Sequence, residues 1–136
     1  MGRGRHRILV IEDNVETAEA FAIIFEARGF DVTLASNGAD ALMLLEHDHA
    51  YCAILLDLML PVMDGRAFRR AQRADQSLAT IPVIVVSGDP HVAEVARHLE
   101  ADNFLRKPID PLEVANVVQR HCDGRACSTA PLPPEP

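Results

Sequence analysis

Residues 52 to 56, Cys-Ala-Ile-Leu-Leu, are apolar without a break and stop at a single carboxylate, Asp57. Five apolar residues are too few for an ordinary helix, and an unbroken run rather than an alternating one fits a parallel strand covered on both faces. Asp57 therefore stands at the carboxyl end of a strand, on the rim where open parallel sheets bind ligands. Turn residues follow it, Pro61 and the pair Asp64-Gly65. Taken alone, such an Asp fits a loop start as well as a site.

The remainder of the chain repeats the theme. Arg7 to Glu12 reads as a first buried strand ending in Glu12-Asp13, with Asn14 or Asp13 able to cap a helix whose Ala18, Phe21, Ala22 and Phe25 recur at helical spacing up to Arg28-Gly29. Phe30 to Ala35 predicts a second strand, and Ala41, Leu42, Leu44 and Leu45 a second helix closing near His47-Asp48-His49. The two histidines lie two apart, off a common helical face, so a solvated loop is expected there rather than a metal site. A third helix opens at Asp64-Gly65 with Ala67, Phe68 and Ala71 inward and Arg66, Arg69, Arg70 and Arg73 on the solvent face. Ile81 to Val86 predicts a fourth strand ending in Ser87-Gly88, and Asp89-Pro90 the start of a fourth helix with Val92, Val95, Ala96 and Leu99 inward. Asn103 to Arg106 predicts a short fifth strand ending in Lys107-Pro108, and Asp110-Pro-Leu-Glu113 opens a last helix through Val114, Val117 and Val118. Five strands alternating with five helices across short loops predict an α/β fold with a doubly wound, five-stranded parallel sheet.

Composition narrows the class. At 136 residues, 49% hydrophobic and 24% charged, the chain reads as one soluble globular domain, and a net charge of -7 disfavours direct nucleic-acid binding. Cys52, Cys122 and Cys127 are odd in number and lack metal-type spacing, which predicts no disulfide framework, a core role for Cys52 and a cytoplasmic location. The apolar run Ile8 to Ile11 is too short for a signal peptide or a membrane span, and Gly2 has no Ser or Thr at position 6 for a myristoylation motif. The expected domain runs from residue 7 to 122, after an extension of residues 1–6 and before a Gly, Ser and Pro-rich tail, residues 123–136, expected to be disordered.

Polar residues fall at the predicted strand ends, so Glu12, Asp13, Asp57, Ser87 and Lys107 share one rim. Each has a plainer reading: an acidic pair that caps a helix, a Ser in a turn, a Lys in solvent. Together they describe a chemistry. Converging carboxylates repel unless a cation compensates, and oxygen ligands on a rigid rim suit Mg²⁺. An Asp beside such a metal can attack phosphorus and form an aspartyl phosphate. Lys107 and the Ser87 hydroxyl suit the phosphoryl oxygens, and Gly88 leaves room for the group to approach.

The pair Glu12-Asp13, Leu55-Leu56-Asp57-Leu58-Met59-Leu60-Pro61-Val62-Met63-Asp64-Gly65, Val85-Val86-Ser87-Gly88 and Phe104-Leu105-Arg106-Lys107-Pro108 occur in one order and spacing. In this the chain resembles a receiver domain of a two-component response regulator, over Arg7 to about Cys122. The resemblance implies a flavodoxin-like receiver fold, Asp57 as phosphoacceptor, and Mg²⁺ held by Glu12, Asp13, Asp57 and the backbone carbonyl of Met59. It further implies Ser87 and Phe104 as switch residues, Lys107 as counter-charge and a cis peptide before Pro108. The implied partner is a histidine kinase or histidine phosphotransfer protein; the output partner is left open, as is a monomer or a phosphorylation-dependent dimer, and no membrane is involved. The chain departs from the family pattern in three ways. Glu12 stands where the family has Asp. Met59 and Asp89 sit at positions that govern how long the phosphoryl group persists. Ser87 to Lys107 is about two residues short, without a Gly after the fourth helix. The alternative reading is a receiver-like interaction module independent of phosphorylation. A phosphatase using an Asp nucleophile would want an acid where Met59 stands, and a nucleotide carrier would want a glycine-rich loop after the first strand.

Overall fold

The computed structural model describes residues 6–58 and 63–123. Met59, Pro61, Cys127 and the Pro-rich tail lie outside these residues. Five strands, β1 (Arg7–Ile11), β2 (Asp31–Ala35), β3 (Ala53–Asp57), β4 (Val83–Ser87) and β5 (Asn103–Arg106), form one parallel sheet in the order β2-β1-β3-β4-β5. The helices are α1 (Val15–Ala27), α2 (Gly38–His47), α3 (Gly65–Ala74), α4 (Gln76–Ala79), α5 (Val92–Leu99) and α6 (Pro111–Asp123).

The central strands β3 and β4 are buried along their whole length, which is why their sequences run apolar without alternation. Their pleat divides the core in two. Ile8, Val10, Leu55, Ile84 and Val86 meet Phe21 and Phe25 of α1 and Val114, Val117 and Val118 of α6. Leu9, Ile11, Ile54, Leu56, Val83 and Val85 meet Ala41 and Leu45 of α2, Phe68 of α3, Leu78 of α4 and Val92 of α5. The strand order changes direction between β1 and β3, so the crevice above their carboxyl ends is the switch point of the sheet.

Four expectations need correction. The described residues hold six helices rather than five, because the Asp75 carboxylate accepts the Ser77 backbone N–H at 2.9 Å and its hydroxyl at 2.6 Å, starting an extra turn, α4. The fourth expected helix, α5, starts at Val92 and not at Asp89-Pro90: the Asp89 carboxylate accepts the His91 N–H at 2.8 Å and its carbonyl the Val92 N–H at 3.0 Å, closing a turn through Pro90 first. Arg69 is not on a solvent face; it is 5% exposed. Its guanidinium donates to the Leu99 carbonyl at 2.9 Å, the Glu100 carbonyl at 2.7 Å and Gln72 Oε1 at 2.6 Å, and Gln72 in turn donates to the carbonyls of Leu78 and Ile81. This network holds the C-terminus of α5, where Glu100 (φ 56°, ψ 40°) takes the left-handed cap that a Gly would ordinarily fill. Finally, Cys52 is core as expected but is not a lone thiol: it pairs with Cys122 in a disulfide, because α6 lays its last turn over the start of β3.

Candidate functional site

Glu12 directly follows β1. Its backbone N–H donates to the Ala35 carbonyl at 3.0 Å, which continues the β1–β2 pairing one residue past the strand. Asn14 caps α1, its side chain accepting the Thr17 N–H at 2.9 Å, so neither acid is spent on that role. The Asn14 N–H instead donates to Glu12 Oε2 at 3.2 Å and turns that carboxylate into the crevice. Asp57 is the last residue of β3, level with Val86 of β4. Glu12 and Asp57 are each 5% exposed, whereas Asp13 is open to solvent.

Lys107 follows β5, and its backbone N–H donates to the Ser87 carbonyl at 2.9 Å, tying the ends of β4 and β5. The peptide between Lys107 and Pro108 is cis, as the resemblance implies. The Lys107 ammonium reaches back across the sheet, Nζ lying 3.0 Å from Asp57 Oδ2 and 3.5 Å from Glu12 Oε1. One carboxylate oxygen from each of Glu12, Asp13 and Asp57 lies within 4.8 Å of the others. Ser87 is 1% exposed, and its Oγ accepts the Asp89 N–H at 3.1 Å. Pro90 is tied to β5 through Arg106, whose guanidinium donates to its carbonyl at 3.1 Å.

Packing sets how closely α3 starts against the end of β3. A Cβ on Gly65 would stand 2.8 Å from Leu58 Cα and 2.9 Å from the Asp57 carbonyl oxygen, so only glycine lets α3 start this close. At Gly88 a Cβ would meet nothing nearer than Lys107 Cβ at 3.9 Å, an ordinary contact, so crowding by protein atoms is not what calls for glycine there.

The electrostatics follow from this geometry. Burial, and then the Asp57 charge, push the Glu12 carboxyl up from 4.5 to about 7, against the Asn14 N–H and the Lys107 ammonium. For Lys107 burial alone disfavours the charge, but the hydrogen bond to Asp57 and the two carboxylates outweigh it and hold the ammonium above its ordinary range. A crevice with several carboxylates and one cation has the donor chemistry of a hard divalent ion, which takes oxygen ligands and keeps waters.

Of the residues picked out in sequence, Glu12, Asp13, Asp57, Ser87 and Lys107 gather at one end of the sheet. Phe104 does not join them: it lies on edge strand β5, level with Val85, with 38% of its surface exposed. The Arg69–Gln72 network escaped sequence reasoning, although Gly65, Phe68, Arg69 and Gln72 lie on one helical face, and that spacing was the available signal.

The model of the response regulator receiver domain matches residues 8–119. The chain belongs to this family. As a receiver domain it is a signalling module of two-component systems rather than a turnover enzyme of the ordinary kind. It is 34% identical over 112 residues to the DNA-binding response regulator MtrA of Mycolicibacterium paratuberculosis, covering 81% of this chain and 48% of that protein. The receiver domain thus spans about half the length of the curated relatives it matches first. A 14.6 kDa protein of Leptolyngbya boryana is 31% identical over 117 residues, covering 85% of this chain and 88% of that one. Among solved structures it is similar to the receiver domain of a signal transduction histidine kinase from Syntrophus aciditrophicus, with a TM-score of 0.81, 30% identity and coverage of 93% and 98%. The receiver domain of a sensor histidine kinase from Pseudomonas aeruginosa, with a magnesium ion coordinated in its active-site cleft, gives a TM-score of 0.79, 28% identity and coverage of 88% and 98%. No helix among the described residues is long and apolar enough to cross a membrane.

Proposed function

We propose that this receiver domain, residues 7–122, takes a phosphoryl group on Asp57 from a histidine kinase or histidine phosphotransfer protein and signals by changing shape around it. The observation that carries this reading is Asp57 itself: a buried carboxylate at the end of a central strand, 3.0 Å from a lysine ammonium and beside two further acids. A carboxylate this buried, held next to a cation, is a poor surface charge and a well-placed nucleophile.

In the proposed step an Asp57 oxygen attacks phosphorus, the bond from phosphorus to the donor's histidine nitrogen breaks, and that nitrogen keeps the electron pair. Glu12, Asp13, Asp57 and the Met59 carbonyl would hold Mg²⁺, and the donor set of the first three fits it. When bound, the ion neutralises charge on the phosphoryl oxygens. Lys107 supplies a second positive charge at the same oxygens, and the salt bridge it makes with Asp57 is the interaction it exchanges for them. Ser87 Oγ, now accepting from the Asp89 N–H, has a hydroxyl proton to donate to the new group, and turning toward it would draw on the Ser87–Asp89 segment. The exposed Phe104 ring beside β4 is the element proposed to report that movement, moving into the space the segment leaves. The readout surface lies around α5, β5 and α6, and the location is proposed to be cytoplasmic.

The test is intact mass after incubation with acetyl phosphate and Mg²⁺, beside Asp57→Asn and a chelated control. One phosphoryl adduct requiring both Mg²⁺ and Asp57 is expected. A wild-type chain that binds Mg²⁺ and beryllofluoride no better than Asp57→Asn, and takes no adduct, overturns the proposal in favour of a phosphorylation-independent interaction module.

A further inference from the structure

A second constellation sits at the other end of the sheet. Cys52 immediately precedes β3, so it lies the length of that strand away from Asp57, about 16 Å for five residues. Its backbone N–H donates to the Arg7 carbonyl at 2.8 Å, which sets it beside the start of β1, and residue 6 comes next. Cys122, in the last turn of α6, closes over the same point, its Cα 5.6 Å from that of Cys52. A ring nitrogen of His6 and the two sulfurs lie within 4.8 Å of one another.

The His6 ring is set for a ligand. Its backbone carbonyl accepts the Asp31 N–H at 2.8 Å and the ring rests against Phe30 with centroids 5.5 Å apart. Nε2 faces Asp123 Oδ1 at 3.8 Å, while Nδ1 is buried and meets no hydrogen-bond partner among the described residues. A buried ring nitrogen without a partner is uncommon in a folded protein, and this ring brings one of its two nitrogens close to both sulfurs. Asp123 stands on the Nε2 side without a hydrogen bond, at the place from which a carboxylate could orient a metal-ligating histidine. The approach to Cys52 is braced as well: the Arg7 guanidinium donates to Asp48 at 2.6 Å and to the Ala50 carbonyl at 3.2 Å, and lies over the Tyr51 ring.

We infer that His6, Cys52 and Cys122 form a site for a thiophilic divalent cation of the Zn²⁺ class, separate from the carboxylate crevice at Asp57. Two thiolates and an imidazole select such an ion over Mg²⁺, as the all-oxygen crevice does the reverse. Tetrahedral ligands on zinc stand about 3.5–3.8 Å apart, within the span these three atoms already share. The site belongs to the reduced pair. Opening the disulfide takes two electrons and two protons, supplied by a dithiol that is itself oxidised to its disulfide, and metal binding then displaces the two thiol protons. The bound ion would join the starts of β1 and β3 to the end of α6, whereas the disulfide of the oxidised protein joins only the start of β3 to α6.

The experiment uses the full chain, reduced, freed of reductant without oxygen and titrated with Co²⁺ as a spectroscopic probe while excess Mg²⁺ competes for the carboxylate crevice. One equivalent of Co²⁺ with a thiolate-to-cobalt charge-transfer band, displaced by Zn²⁺, is expected. Cys52→Ser and Cys122→Ser are expected to remove the band, His6→Ala to weaken binding at least about tenfold, His6→Cys to restore it and Cys127→Ser to leave it unchanged. Circular dichroism establishes that each variant is folded. No band in wild-type protein whose thiols are shown to be free overturns the inference. So does a band that survives Cys122→Ser in folded protein, or one that depends on Cys127.

Discussion

Folding changes when the Glu12 carboxyl takes up its proton. Below pH 4.5 its carboxyl is protonated whether the chain is folded or not; between 4.5 and about 7 the unfolded chain releases the proton while the folded, metal-free crevice keeps it. The folded state then binds more protons, so stability falls as pH rises through that window, and the slope ends above about 7 where both states are ionised. Urea unfolding of chelated protein from about pH 5 to about pH 8 is expected to show this loss relative to Glu12→Gln, and excess Mg²⁺ to flatten it. Parallel curves for the two proteins would mean that Glu12 titrates normally. At this scale the sequence was a good guide: Asp57 is announced by the apolar run that ends on it, and a residue that ends a buried strand has little freedom in where it points. The pairing with Lys107 across fifty residues of chain is another matter, since it depends on β5 being laid beside β4.

Among the elements, α5 is held by polar contacts in addition to its apolar face. Its C-terminal carbonyls are held by Arg69 of α3, and its cap is a glutamate in left-handed backbone rather than a glycine. Arg69→Met leaves two carbonyls and Gln72 Oε1 without their donor in a buried place and is expected to cost about 2–3 kcal/mol. Arg70→Met, on the exposed side of the same helix, is expected to cost almost nothing. Glu100→Gly relieves the left-handed conformation at the expense of an exposed ion pair with Arg73, for a net gain of about 0.5–1 kcal/mol. Chemical unfolding of the three variants measures all of this, and equal losses for Arg69→Met and Arg70→Met would remove the anchor from the account. The helices whose faces are apolar were read correctly in register. Arg69 was not, because an arginine counts as surface until a fold presents buried carbonyls for it to bind.

For the whole molecule, the disulfide joins residues 70 apart and therefore restricts a large part of the unfolded chain. Reduction is expected to lower stability by about 2–4 kcal/mol, read as a shift of the urea midpoint that the double variant Cys52→Ser, Cys122→Ser does not show. A wild-type midpoint indifferent to reductant would mean the link contributes nothing. The doubly wound sheet and the gathering of Glu12, Asp13, Asp57, Ser87 and Lys107 on its rim were determined by sequence alone. Short apolar runs alternating with amphipathic stretches admit few other arrangements, and parallel strands bring all their carboxyl ends to one side. Strand pleat, by contrast, would turn Cys52 to the same face as Ile54, yet it packs with Cys122 and Phe30 on the opposite one because β3 begins only at Ala53. That contact, the buried Arg69 and the unpartnered nitrogen of His6 were decided by the tertiary structure, since each depends on where a distant segment comes to rest, and local periodicity carries no record of that distance.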